Sequence, residues 1–187
     1  HKKSLEIKES FIKYAQKTGE YLEEIKPIIK EKQEFFRKLA KRFYPNNASG
    51  ITVYNNEGEN QQRYTIEAKI ESDNSDGINN VKIFCYDMTM LFKGHGHNVK
   101  FSFHDSRLFD GIDEKHKAEI FKVVSELFSN ADYQYIATVN QNQLNEIKSI
   151  LTEQEYKEII EKNTILTLTD EDDSEKLLGI KVDVGYE

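Results

Sequence analysis

The residues best suited to chemistry lie at positions 104–113, in the run HDSRLFDGID. Clustered carboxylates can hold Mg²⁺, and an imidazole beside them can bind a metal or move a proton. The apolar segment VKFSF before this run predicts a buried strand that ends at His104 and Asp105. Open α/β sheets bind ligands at the carboxyl ends of their strands. The pattern therefore predicts a phosphate-and-metal site, although acids at strand ends also serve as ordinary turns and caps.

Three further segments must position this loop. EKHKAEIFKVVSELF predicts an amphipathic helix with Asp113 as its N-cap, and GINNVKIFCYDMTMLF predicts another helix that begins near Ser75 and Gly77. A helix N-terminus offers free backbone N–H groups to an anion, but Ser and Asp there are also ordinary caps. YQYIATV predicts a second buried strand, which leads into a polar turn at Asn140 and a further helix.

The first half of the chain predicts a helical arm and a hairpin. Residues 4–43 predict one long helix or two, with a kink or break near Pro27. This arm is either the end of an antiparallel coiled coil or an amphipathic helix packed on its own domain. Residues 51–54 and 63–70 flank NNEGENQQ and predict a hairpin with the alternate residues of YTIEAKI, including Ile66 and Ile70, on a buried face. TILTLT predicts a strand, followed by an acidic turn and a final strand.

Composition limits the class of protein. The 187 residues carry 26 basic and 33 acidic side chains, a net charge of −7, which argues against a surface devoted to nucleic acid. EKQEFFRKLAKRF remains a candidate for local contact with DNA. The single Cys85 excludes an internal disulfide and suits the cytoplasm, and its place on an apolar helical face predicts a core residue rather than a nucleophile. No apolar run approaches membrane-spanning length. His1 in place of an initiator Met is typical of a tag remnant or of an excised fragment, and we expect the natural polypeptide to extend upstream. We expect an α/β domain at 46–187 behind a helical arm at 1–45.

Three segments together, FHDSRLFDGID, GINNVKIFCYDMTML and YQYIATVNQNQL, resemble a known family. The chain is similar to the C-terminal lobe of an ABC-type head in SMC-like and RecN-like ATPases. In particular, it resembles DUF2326, a bacterial domain of unknown function that closes such coiled-coil proteins. The resemblance implies a mixed sheet flanked by helices, with the arm as the end of a coiled coil.

The resemblance also implies roles for individual residues. Asp105 would be the Walker B acid that helps to hold Mg²⁺. Ser75 and Gly77 would lie at the signature motif, which caps the γ-phosphate across a dimer of heads. Asp110 to Asp113 would form the D-loop at that dimer interface, and Asn140 would occupy the switch position that senses the γ-phosphate.

Two departures from the family pattern bear on catalysis. Ser106 follows Asp105 where the pattern has a Glu that polarises water, so we expect slow hydrolysis or none unless His104 replaces this base. No G-x-x-x-x-G-K-[ST] motif occurs in the chain. The resemblance implies that ATP and Mg²⁺ bind only with a Walker A lobe, which lies upstream in the same polypeptide.

Three functions follow as hypotheses. In the first, ATP joins this half-head to a second head, and the coiled coils convey the change to DNA or to other subunits, in DNA repair, chromosome maintenance or anti-phage defence. In the second, the fold is a non-catalytic dimerisation or interaction module. In the third, His95, His97, His104 and Asp105 bind Zn²⁺ or Mn²⁺ in a phosphohydrolase or nuclease.

Overall fold

The computed structural model describes residues 2–56 and 63–169, together with residues 172, 175 and 176. Helices and strands occur in the order α1 (Lys2–Glu24), α2 (Lys26–Phe43), β1 (Ser49–Asn55), β2 (Tyr64–Ile70), α3 (Asp76–Lys93), β3 (Phe101–His104), α4 (Glu114–Phe128), β4 (Gln134–Ala137), α5 (Gln141–Ile150) and α6 (Glu153–Ile159). Short 3₁₀ helices cover Ser106–Phe109 and Glu161–Asn163. The fold is therefore mixed α/β, as predicted.

The arm breaks beside Pro27, which confirms the prediction for that residue. Helix α1 ends at Glu24, and α2 begins with Pro27 in its first turn. A proline is tolerated there because the first turn of a helix has no use for its missing N–H. Only the second helix enters the core, where Phe36 and Phe43 are buried.

Strands β1 and β2 form the predicted antiparallel hairpin, with Ser49 paired to Ile70 and Asn55 to Tyr64. The prediction of a wholly buried face was wrong, because Ile70 is 1% exposed whereas Ile66 is 56% exposed. Helices α2 and α3 cover the base of the hairpin, and α1 contacts its far end, where Asn55 Nδ2 donates to the Ala15 carbonyl over 2.9 Å. Gln33 attaches α2 to the base of the hairpin, since its Nε2 donates to the Ile51 carbonyl over 2.7 Å.

Strands β3 and β4 form a separate, parallel pair, with Phe101 beside Gln134 and His104 beside Ala137. The sequence predicts buried strands, and here it was wrong. Phe101 and Phe103 are 53% and 52% exposed, and Ile136 is 36% exposed. Helices α3 and α4 pack on the pair from one side, and within the described residues no element covers the other.

The core lies where α2, α3 and α4 meet. Its fully buried side chains include Phe36, Phe84, Phe109 and Ile120. Cys85 is also buried, and burial raises the pKa of its thiol, which confirms it as a core residue rather than a nucleophile. In the described part of the chain, no helix has both the length and the apolarity to cross a membrane.

The end of the chain departs from the prediction. Residues 164–169 form no strand, although TILTLT predicts one. Ile165 is 93% exposed and Leu168 is 47% exposed, so these side chains contribute little to the core. The predicted acidic turn and final strand fall almost wholly outside the described residues.

Candidate functional site

Asp105 lies at the carboxyl end of β3, where the sequence predicts it. Its side chain is exposed and caps the following 3₁₀ helix, since Oδ1 accepts a hydrogen bond from the Arg107 N–H over 2.9 Å. That bond uses one carboxylate oxygen. The position therefore combines an ordinary cap with an accessible negative charge, which is the chemistry that a bound divalent cation needs.

His104 points the other way, into the core. It is 6% exposed; its Nε2 lies 2.9 Å from Asp87 Oδ2, and its Nδ1 lies 3.0 Å from the Tyr135 hydroxyl. Burial raises the pKa of Tyr135, so the phenol keeps its proton. We infer that Tyr135 donates to Nδ1 and that Nε2–H donates to Asp87. With both nitrogens engaged, His104 ties β3 to α3 and β4 instead of presenting a free base to solvent.

Asp110 joins the acidic loop to the start of α3. Its carbonyl accepts from Asn80 Nδ2 over 2.8 Å. The neighbouring Gly111 has φ of +70° and lies directly against Gly77, where an added Cβ would come within 2.4 Å of the Gly111 carbonyl oxygen. Both positions therefore require glycine. The predicted signature and D-loop segments are in contact within this one chain.

Ser106 and Asn140 are linked by hydrogen bonds to Gln143, a residue that the sequence patterns did not single out. Gln143 accepts from the Asn140 N–H through Oε1, and its Nε2 donates to the Ser106 carbonyl and to Asp110 Oδ1, each over 3.0 Å. The Ser106 N–H in turn donates to Thr138 Oγ1 over 3.2 Å. The only sequence signal for Gln143 is the spacing N-x-x-Q, which is typical of a capping box.

The remaining predicted residues face elsewhere. Asp113 is confirmed as the N-cap of α4, with Oδ1 accepting from the His116 N–H over 3.0 Å. Partial burial raises the pKa of Asp113, but the His116 N–H and ring outweigh that effect and leave the pKa below its usual range. Ser75 is the exposed N-cap of α3, and its hydroxyl makes no capping hydrogen bond.

The predicted metal cluster is not assembled. His97 Nε2 bonds the Met90 carbonyl over 3.1 Å, and His104 is turned inward. Across the residues that the structure describes, no group of three or more His, Cys, Asp or Glu side chains could hold an ion. The Zn²⁺ or Mn²⁺ hypothesis thus loses its geometric basis.

An open groove of about 340 Å³ runs along the end of β3. Its walls include the apolar Ile83 and Phe103 and the polar Asn80, Asp105 and Arg107. Arg107 is exposed and forms no ion pair within the described part of the chain. A guanidinium and a carboxylate beside an apolar wall can hold an anion together with its cation, whereas Asn80 Nδ2 already donates to the Arg107 and Asp110 carbonyls.

Comparison with known proteins gives one family match. A family model described as "Uncharacterised protein conserved in bacteria (DUF2326)" matches residues 39–182. No curated protein matches the chain. Among solved structures, the chain is similar to an SMC head bound to the C-winged helix domain of ScpA, with a TM-score of 0.46 and 13% identity. That likeness covers 63% of this chain and 37% of the other.

Proposed function

The chain belongs to the DUF2326 family of uncharacterised proteins conserved in bacteria, and we propose that it is half of an SMC-like or RecN-like ATP-binding head. In this proposal a Walker A lobe from the upstream part of the same polypeptide completes the head. ATP then brings two heads together, and the helical arm transmits the change to DNA or to a protein partner.

The incomplete parallel sheet is the observation that carries the proposal. Parallel sheets in proteins are covered on both faces and have more than two strands. Here β3 and β4 stand alone within the described residues, with Phe101, Phe103 and Ile136 partly in solvent. A lobe that adds strands to this pair and covers its aromatic face would complete the sheet, and it would bring its own phosphate-binding loop beside Asp105.

Asp105 fits the role of a magnesium ligand in such a head. Mg²⁺ beside nucleotide phosphates is held by only one or two carboxylates, with water and phosphate supplying the other oxygens. Asp105 is exposed and uses only Oδ1 as a cap. Bound Mg²⁺ would neutralise part of the negative charge of the phosphates. Arg107 on the same groove would contribute to the binding of the phosphates.

Ser106 limits the chemistry that we propose. A hydroxyl has no capacity to act as a general base near neutral pH, and both nitrogens of His104 are engaged in the core. We therefore propose that nucleotide binding and head association are the principal events and that hydrolysis is slow.

The non-catalytic interaction module is the second candidate, and one observation favours it. Asp105 and Asp113 both act as helix caps, which by itself accounts for two of the predicted acids. In that case the exposed face of β3 and β4 would bind a protein partner without any nucleotide.

The deciding experiment is MgATP-dependent association of the full-length polypeptide, followed by light scattering, for the unmodified protein and for Asp105→Asn. Asparagine caps a helix as well as aspartate does, so the fold should persist while the metal ligand loses its charge. We expect association at a given MgATP concentration to fall by about tenfold or more. Asp132→Asn is the matched control, because its carboxylate is 97% exposed and pairs with Lys100 at the surface.

Either of two results would overturn the ATP-binding head. One is an unmodified protein that binds no MgATP, and the other is an Asp105→Asn protein that associates as the unmodified protein does. The interaction module would then become the better account of the exposed sheet.

A further inference from the structure

Gln143 is the most highly connected polar side chain of the candidate site. It is 6% exposed, and three hydrogen bonds of 3.0 Å use both of its amide donors and its carbonyl oxygen. A buried amide satisfied in this way is held in one orientation, and the loss of its donors removes a partner from the Ser106 carbonyl and from Asp110 Oδ1.

The three bonds of Gln143 reach different parts of the site. One holds the Asn140 turn, at the start of α5, and two hold the loop at Ser106 and Asp110. From Asp110 the connection continues to α3, since the Asp110 carbonyl accepts from Asn80 over 2.8 Å. Gly77 packs on Gly111 at the same place.

We propose that Gln143 is a positioning residue that couples the Asn140 turn, the 106–112 loop and the first turns of α3, so that these three segments move as one unit. The hydrogen-bond coupling stands on the geometry alone. Its meaning for a nucleotide rests on the proposed function and on the roles at the γ-phosphate and at the interface between heads that the family resemblance implies for these segments.

Gln143→Glu tests the coupling because it separates two roles. Glutamate is a normal third residue of a capping box, so its carboxylate still accepts from the Asn140 N–H. It cannot donate, however, and it places a negative charge against Asp110 and the Ser106 carbonyl. A residue that served only as a cap would tolerate this change.

The measurement is backbone amide exchange in this chain. Two reporters are the Asp110 N–H, which bonds the Arg107 carbonyl, and the Asn79 N–H, which bonds the Ser75 carbonyl. We expect Gln143→Glu to raise exchange at both by about tenfold. Gln141→Glu is the matched control: it adds the same charge to the same helix at an exposed side chain, whose one hydrogen bond among the described residues is to Asn145. It should leave both reporters unchanged.

A second pair of variants tests the bond itself. Asp110→Asn alone should change amide exchange at the two reporters very little, because the new amide oxygen can still accept from Gln143. In the double variant with Gln143→Glu, the new amide at position 110 can donate to the new carboxylate at position 143. The hydrogen bond is then restored with donor and acceptor exchanged. We expect the double variant to recover at least half of the lost protection at Asn79.

Two outcomes would overturn the coupling. One is equal exchange in Gln143→Glu and Gln141→Glu, and the other is a change confined to Asp110 that never reaches Asn79. Neither result depends on ATP. A full-length protein that binds no MgATP would remove the proposed function, whereas the exchange data would still decide the role of Gln143.

Discussion

The two sheets of this protein differ in how complete they are. The β1–β2 hairpin pairs seven residues on each strand through local, antiparallel contacts. The β3–β4 pair has four residues on each strand, and they are parallel and joined through α4. Both expose apolar side chains, with Ile66 at 56% and Phe103 at 52%.

Equal exposure has a different meaning in the two sheets. An antiparallel sheet commonly leaves one face in water, so Ile66 requires no partner. A parallel pair has no such precedent, and its edges and outer face remain open within the described residues. The comparison supports the proposal that another element completes the sheet that carries Asp105, whereas the exposed face of the hairpin needs no such partner.

The largest expected effect concerns the base of the hairpin. Ile70→Ala removes a side chain that is 1% exposed, and we expect a loss of about 2–5 kcal/mol in the free energy of unfolding. Ile66→Ala on the same face should change it by less than about 0.5 kcal/mol. Urea unfolding of this chain measures both. Equal losses would mean that the Ile66 side chain is packed as closely as the Ile70 side chain.

A smaller effect is expected on the parallel pair. Phe103→Thr keeps a strand-forming residue and removes half-exposed aromatic surface, so the unfolding free energy of this chain should change by less than about 0.5 kcal/mol. The same urea titration provides the measurement. A loss as large as that of Ile70→Ala would show that Phe103 belongs to the core, and the open-sheet argument would fail.

The smallest expected effect is the pH dependence of stability that comes from an ion pair between the end of the hairpin and α3. Asp73 follows β2 and pairs with Lys82 of α3 over 2.8 Å, and the Lys82 hydrogen bond lowers the pKa of Asp73 below its ordinary 3.8. Because the folded-state pKa is the lower one, the stabilisation is present above pH 3.8 and is lost as pH falls further.

Acid titration of unfolding stability from pH 5 to pH 2 measures this contribution. We expect the unmodified chain to lose more stability than Asp73→Asn does, by about 0.3 kcal/mol, because such partly exposed pairs are weak. Parallel curves for the two proteins would show that the pair contributes nothing to the attachment of the hairpin.

Much of the local structure could be predicted from the sequence. Four correctly predicted features each depend on a few neighbouring residues. They are the break at Pro27, the β1–β2 hairpin, the Asp113 cap and the buried Cys85. The local sequence pattern also predicted where β3 ends and that Asp105 follows it.

The partners of the site could not be predicted in this way. Asp87 lies 17 residues before His104, and Gln143 lies 33 residues after Asp110. Asp and Gln at such positions on amphipathic helices look like ordinary surface residues, and no periodicity distinguishes them. The burial of β3 was predicted wrongly for a related reason, since an apolar run does not say how many layers will cover it.

The sequence by itself determined the elements from α1 to α5, their order and the acid at the end of β3, because turn chemistry and periodicity act over a few residues. It wrongly predicted a strand at 164–169. Only the tertiary structure decided that His104 faces inward, that Gln143 joins three segments, and that Phe101 and Phe103 remain in solvent. Those outcomes depend on which helices pack against which strand, and that is set by contacts between residues far apart in the chain.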